Sequence, residues 1–127
     1  MIKDTGSGKA RREKLGVKPG QTVAVVGNVD SGSDVKDLGA SIVRALTADW
    51  IFLAVDNLKD LKKIHDVRRK MSDEASIWAV WPKGSNDIKE DHIRQTALTT
   101  DLVDVKVMSW SDTHSGLKLV VRKERRR

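Results

Sequence analysis

Three short apolar runs punctuate the chain: Thr22-Val23-Ala24-Val25-Val26, Trp50-Ile51-Phe52-Leu53-Ala54-Val55 and Ser76-Ile77-Trp78-Ala79-Val80-Trp81. Each is the length of a strand and apolar on successive residues, so neither face can be wet. Runs of this kind belong to strands covered on both sides. Segments of helical spacing lie between them, and alternating strands and helices imply a parallel sheet joined by right-handed crossovers.

The connections carry their own signals. Val17-Lys18-Pro19-Gly20-Gln21 reads as a turn into the first run, and Gly27 ends that run. From Asp34 to about Ala48, Val35, Leu38, Ile42 and Leu46 recur at helical spacing, with Asp34 and Asp37 favouring a helix start. Asn57 is placed to cap the next helix, in which Leu58, Leu61, Ile64, Val67 and Met71 form a core stripe. Lys59, Lys62, Lys63, Arg69 and Lys70 lie on its opposite face. Pro82 stops the third run, and Asp87 with Glu90 has capping-box spacing for a helix to about Thr100. Val103–Trp110 and Leu117–Arg122 then flank Ser111-Asp112-Thr113-His114-Ser115-Gly116 as a hairpin.

The expected fold is a small Rossmann-like α/β domain over residues 15–121. Three parallel strands with crossover helices form a two- or three-layer sandwich, closed by a C-terminal antiparallel hairpin. If the three strands lie in chain order, right-handedness puts every crossover helix on one face. The other face is then apolar, and the 15-residue N-terminal segment is too polar to cover it. Either the order is 2-1-3, with helices on both faces, or the sheet packs on another copy; the central character of Trp50–Val55 favours chain order and predicts a homodimer.

Charge is concentrated at the ends. The formal net charge is +6, yet residues 1–14 and 122–127 together account for more than this, leaving the body near neutral. The ends therefore read as a flexible basic N-terminal segment and a basic tail, solvated or weakly attractive to nucleic acid. No apolar run approaches the roughly 20 residues that span a bilayer, and the N-terminus lacks the apolar core of a secretory signal. With no cysteine, thiol catalysis, disulfides and cysteine-ligated metals are excluded. The chain reads as cytoplasmic and bacterial.

Two resemblances follow from quoted stretches. Leu15-Gly16-Val17-Lys18-Pro19-Gly20-Gln21-Thr22-Val23 and the order of elements resemble an abbreviated class I methyltransferase fold, in which a terminal antiparallel hairpin closes a parallel sheet. Gly27-Asn28-Val29-Asp30-Ser31-Gly32 departs from that fold's G-x-G-x-G signature. Lys14–Gly27, Trp78-Ala79-Val80-Trp81-Pro82-Lys83, Leu102-Val103-Asp104-Val105-Lys106-Val107 and Ser115-Gly116-Leu117-Lys118-Leu119-Val120 resemble an uncharacterised bacterial family of small single-domain proteins. That resemblance implies the fold and brings no activity. A Trp often stands at the position of His114 in that family.

Ligands of open α/β sheets lie outside the carboxyl ends of the strands. The candidate residues there are Gly27, Asn28, Asp30, Ser31, Gly32, Asp56, Trp81 and Lys83. The loop after Gly27 is glycine- and serine-rich before a helix start, which suits an anion, but Asp30, Asp34 and Asp37 oppose a phosphate. Asp30, Asp34 and Asp56 with Lys83 match a phosphorylation receiver in residue types and not in topology. Trp81 is a stacking wall with Lys83 as charge partner, or else it fills the core and Pro82 ends the strand. Gly6-Ser7-Gly8-Lys9-Ala10 follows no strand and is no P-loop. Ser111, Asp112, His114 and Ser115 crowd into one turn, and turn chemistry explains them better than a triad.

Lacking a nucleophile–base pair, a metal cluster or a complete cofactor loop, the chain reads first as a non-catalytic binding or interaction module. The alternative is binding of a nucleotide-like or S-adenosylmethionine-like small molecule at the strand ends, as a degenerate enzyme or sensor. A further alternative is weak nucleic-acid association through the basic ends and the basic helix face.

Overall fold

The computed structural model describes residues 15–27, 29 and 41–122. In chain order these form β1 (Thr22–Val26), β2 (Ser41–Val43), β3 (Trp50–Ala54), a 3-10 turn (Leu58–Leu61), α1 (Lys62–Lys70), β4 (Ser76–Pro82), α2 (Glu90–Leu98), β5 (Leu102–Ser109) and β6 (His114–Val121). One six-stranded sheet has the order β2-β1-β3-β4-β6-β5. β2, β1, β3 and β4 are parallel, and β6 returns antiparallel between β4 and β5. The hairpin thus closes the sheet with its second strand innermost.

The parallel strands number four and not three. Ser41–Val43 falls within the stretch whose spacing predicts a helix to Ala48, yet it pairs with β1 in the register Thr22↔Ser41, Val23↔Ile42, Ala24↔Val43. Ile42 is 48% exposed, as a residue of a short edge strand can be and a helix-core residue cannot. Asp34 to Ala40 lie outside the described residues. The three apolar runs are neighbours in chain order, as their central character predicts.

Local chemistry sets the helix starts. The Asn57 side chain accepts the Asp60 amide at 3.1 Å, as its capping position predicts, although a 3-10 turn precedes the α-helix proper. α2 begins at Glu90, later than the Asp87 start. The Ser85 hydroxyl accepts the amides of Asp87 and Ile88, which holds that stretch as a turn. The hairpin loop is shorter than expected because His114 already pairs with Pro82 in the sheet.

Both faces of the sheet are buried. On one, Ile51, Leu53, Ile77, Leu117 and Leu119 meet Ile64 and Val67 of α1 and Ile93 and Ala97 of α2. On the other, Val23, Phe52, Trp78 and Val80 meet Leu15, Val17 and Trp110. Phe52 and Trp78 are 0% exposed in a single chain. Trp110 stands edge-on to Phe52, with ring centroids 5.0 Å apart, and the Trp78 indole N–H donates to the Leu15 carbonyl at 3.0 Å. A second copy is therefore not required to cover this face, which removes the physical reason for expecting a homodimer.

Polar ties fix the frame around this core. The Asp49 carboxylate accepts the amide and hydroxyl of Thr22, and the Thr22 hydroxyl accepts the Asp49 amide. This clamp sets β1 against β3 at their amino ends. Arg68 of α1 grips Asp101 with two donors at 2.6 and 2.9 Å and reaches Asp73 at 2.9 Å, the planar two-point geometry that suits a guanidinium.

Candidate functional site at the carboxyl ends of the strands

The sheet order places a topological switch point between β1 and β3. From β1 the chain passes to β2 on one side, then crosses back to β3 on the other. The carboxyl ends of β1 and β3 therefore send their connections apart, and a ligand crevice lies at such a switch point. Gly27 leaves β1 with φ of 82°. A Cβ there would lie 3.0 Å from the Ala54 Cβ, so only glycine lets the exit turn rest against β3.

Asp56 follows β3 and is exposed. Its amide donates to the Asp60 carboxylate at 2.9 Å, and Asp60 also pairs with Lys63 at 3.1 Å. The turn is thereby held from behind, while no hydrogen bond to the Asp56 carboxylate arises among the described residues. Leu58, 53% exposed, stands beside it. Val29 is buried in the same core cluster as Leu15, Phe52 and Trp78.

Burial alone would raise the Asp60 pKa, but the Asp56 amide, Lys63 and the Asn57 main chain outweigh it and hold the carboxyl below its ordinary 3.8. A depressed folded-state pKa contributes stability that is present above the unfolded value and is lost as pH falls through the folded one. The wild-type urea midpoint should therefore fall below about pH 4 more steeply than that of Asp60→Asn. Parallel curves for the two proteins would show that this carboxylate has no such role.

The structure brings together Gly27 and Asp56 on neighbouring strand ends. Trp81, 6% exposed, lies in the core cluster on the helix face. The Lys83 ammonium points toward the hairpin, where it donates to the Ser109 hydroxyl at 2.6 Å. Asn28, Asp30, Ser31 and Gly32 lie outside the described residues, as do residues 1–14 and 123–127 of the basic ends. On the basic helix face Lys59, Lys62 and Lys70 are exposed, whereas Arg69 pairs with Asp66. The Ser111 hydroxyl accepts the amides of Thr113 and His114, which is the turn chemistry expected of that loop.

Arg44 was missed by sequence reasoning. It follows β2, level with Val25 of β1 by the register, and is exposed. The helical spacing of Leu38, Ile42 and Leu46 concealed it. The usable signal was Gly39 ahead of Ile42-Val43, because a glycine within a helical pattern weakens it.

No family model and no curated protein sequence matches the chain. Solved structures do. A SAM-dependent O-methyltransferase from Thermotoga maritima aligns with a TM-score of 0.64 at 10% identity, over 95% of this chain and 67% of that one. A SAM dependent methyltransferase from Aquifex aeolicus gives 0.60 at 14%, over 90% and 89%. A ribosomal protein L11 methylase from Lactobacillus delbrueckii subsp. bulgaricus gives 0.57 at 12%, over 91% and 77%. The likeness is one of fold: this is a methyltransferase-like Rossmann α/β domain. Among the described residues no helix is long and apolar enough to cross a membrane.

Proposed function

We propose that the protein binds an S-adenosylmethionine-type nucleoside ligand in the crevice between the carboxyl ends of β1 and β3. The observation that carries this reading is the switch point itself, with Gly27 closed against Ala54 on one side and the exposed Asp56 on the other. A carboxylate at a strand end is the acceptor that a ribose diol needs. The glycine permits close approach of main chain to ligand. The methyltransferase-like fold supports the same choice, so ligand binding takes precedence over a bare interaction module.

The residues present suit the nucleoside better than a phosphate chain. Gly27-Asn28-Val29-Asp30-Ser31-Gly32 lacks the spaced glycines of a pyrophosphate loop and carries an acid. Gly27, Asp56 and Leu58 would hold the ligand, through close approach, hydroxyl acceptance and apolar contact respectively. S-adenosylmethionine, when bound, supplies an electrophilic methyl group on a sulfonium. The part assigned to this chain is to bind and orient it.

The test is a titration with S-adenosylhomocysteine at fixed salt, read by calorimetry and thermal shift. Binding to the native state should raise apparent stability by about 2.7 kcal/mol at a hundredfold excess over the dissociation constant. Asp56→Ala should weaken binding by about tenfold or more, the worth of a hydrogen bond to a charged group. No response to S-adenosylhomocysteine, S-adenosylmethionine or simple nucleosides would overturn the reading.

A further inference from the structure

Lys83 is the first residue beyond β4, and the hairpin holds it at two points. Its amide donates to the Thr113 carbonyl at 2.9 Å, extending the β4–β6 ladder by one step. Its ammonium donates to the Ser109 hydroxyl at 2.6 Å, and that hydroxyl in turn donates a hydrogen bond to the Ser111 carbonyl at 3.1 Å. The Ser111 hydroxyl in turn accepts the Thr113 and His114 amides. The lysine is thus set in place by neutral oxygens that are themselves set in place.

Its charge is left unmatched within this network. Lys83 is exposed and, like Lys59, Lys62 and Lys70, joins no ion pair among the described residues, Asp112 of the adjacent loop included; unlike those three, its ammonium is held by a side-chain hydroxyl. An ammonium has three donors, and Ser109 takes one. A fixed cation with two donors remaining is suited to an oxyanion from solution, whose charge strengthens each hydrogen bond.

Position supplies the second line of argument. β3 and β4 are adjacent and parallel, with strand axes about 4.8 Å apart. The backbone of Lys83 therefore lies one strand beyond that of Asp56, on the side away from Gly27. A ligand laid across β1 and β3 would present its far end, and whatever it meets there, toward β4 and the hairpin loop.

We infer that Lys83, held by Ser109 and the Thr113 main chain, binds an oxyanion, so that the second substrate taken beside the nucleoside carries a phosphate or a carboxylate. The description as a second substrate rests on the proposed nucleoside crevice, whereas the oxyanion site can be measured without it. A lysine that only tied β4 to the hairpin would affect stability and leave anion affinity unchanged.

The experiment follows backbone amide resonances of the ligand-free protein during titration with inorganic pyrophosphate at constant ionic strength, with malonate as the dicarboxylate arm. Saturable shifts are expected at Lys83, Ser109 and Thr113. Affinity should fall about tenfold or more in Lys83→Met and persist in Lys83→Arg, with urea melts confirming that both variants fold. A response to pyrophosphate alone would identify the anion as a phosphate, and one to malonate alone as a carboxylate. Undiminished binding in Lys83→Met, shifts confined to Arg44 or to Lys59, Lys62 and Lys70, or no localised shift with either anion would overturn the proposal. Binding of S-adenosylhomocysteine without any anion site refutes this inference and leaves the crevice intact. The reverse result refutes the crevice and leaves Lys83 as an oxyanion site.

Discussion

Trp78→Ala is expected to lower the free energy of unfolding by about 4 kcal/mol, the middle of the range for removing a buried aromatic ring. Trp78 is fully buried on the face covered by Leu15, Val17 and Trp110 and lies 6.1 Å from the Trp110 ring, centroid to centroid. The space it leaves cannot close easily. Gly116 brings the main chain of β6 against both indoles, so close that a Cβ there would stand 3.0 Å from Trp110 and 3.2 Å from Trp78. The loss is also more than one of volume, because the indole N–H bonded to the Leu15 carbonyl joins positions 63 residues apart. Removing it leaves a buried carbonyl unpaired and releases the segment that covers the sheet. Domains of this kind are stable by only about 5–15 kcal/mol, so the variant should be folded but visibly marginal. Urea unfolding checks this, with Trp78→Phe as the partner that keeps a ring and loses the hydrogen bond. A loss under about 1.5 kcal/mol for Trp78→Ala would mean that this face is held elsewhere.

The part of the architecture legible in advance was the part dictated by burial. Trp50–Val55 and Ile77–Trp81 are runs of six and five successive apolar residues, the pattern of strands covered on both faces. Gly27 and Asp56 were legible as strand-end residues for the same reason, since they follow such strands. β2 was not, because a three-residue edge strand is half-exposed and its Ile42 happened to fit a helical period with Leu38 and Leu46. Losing β2 hid the placement of Arg44 beside β1. The cover of the second face was illegible for a different reason. Leu15 and Val17 are two apolar residues in a polar stretch, and Trp110 sits beside a turn; only their convergence on Phe52 and Trp78 makes a layer. The Lys83–Ser109 contact likewise joins residues 26 apart, and no local pattern announces it.

Gly27→Val should cost about 3 kcal/mol and abolish binding of S-adenosylhomocysteine. Two effects combine. A β-branched residue at a positive φ is strained by about 1–2 kcal/mol, and forcing a side chain against the Ala54 Cβ adds an overpacking cost of about the same size. The two can be separated inside this protein. Gly20 has φ of 90° and nothing within 4 Å of a would-be Cβ, whereas Gly27 has φ of 82° and Ala54 at 3.0 Å. Gly20→Ala therefore measures the backbone strain alone, about 1 kcal/mol, and the excess cost of Gly27→Ala measures the close approach to β3. The pair also divides stability from function. Gly20 precedes β1 at the amino edge of the sheet, while Gly27 leaves it at the carboxyl edge. At matched fractions folded, Gly27→Ala should weaken S-adenosylhomocysteine by about tenfold or more and Gly20→Ala should leave it unchanged. Equal affinities in the two variants would remove Gly27 from the site. Equal stabilities would show that β1 and β3 do not meet as closely at their carboxyl ends as the crevice requires.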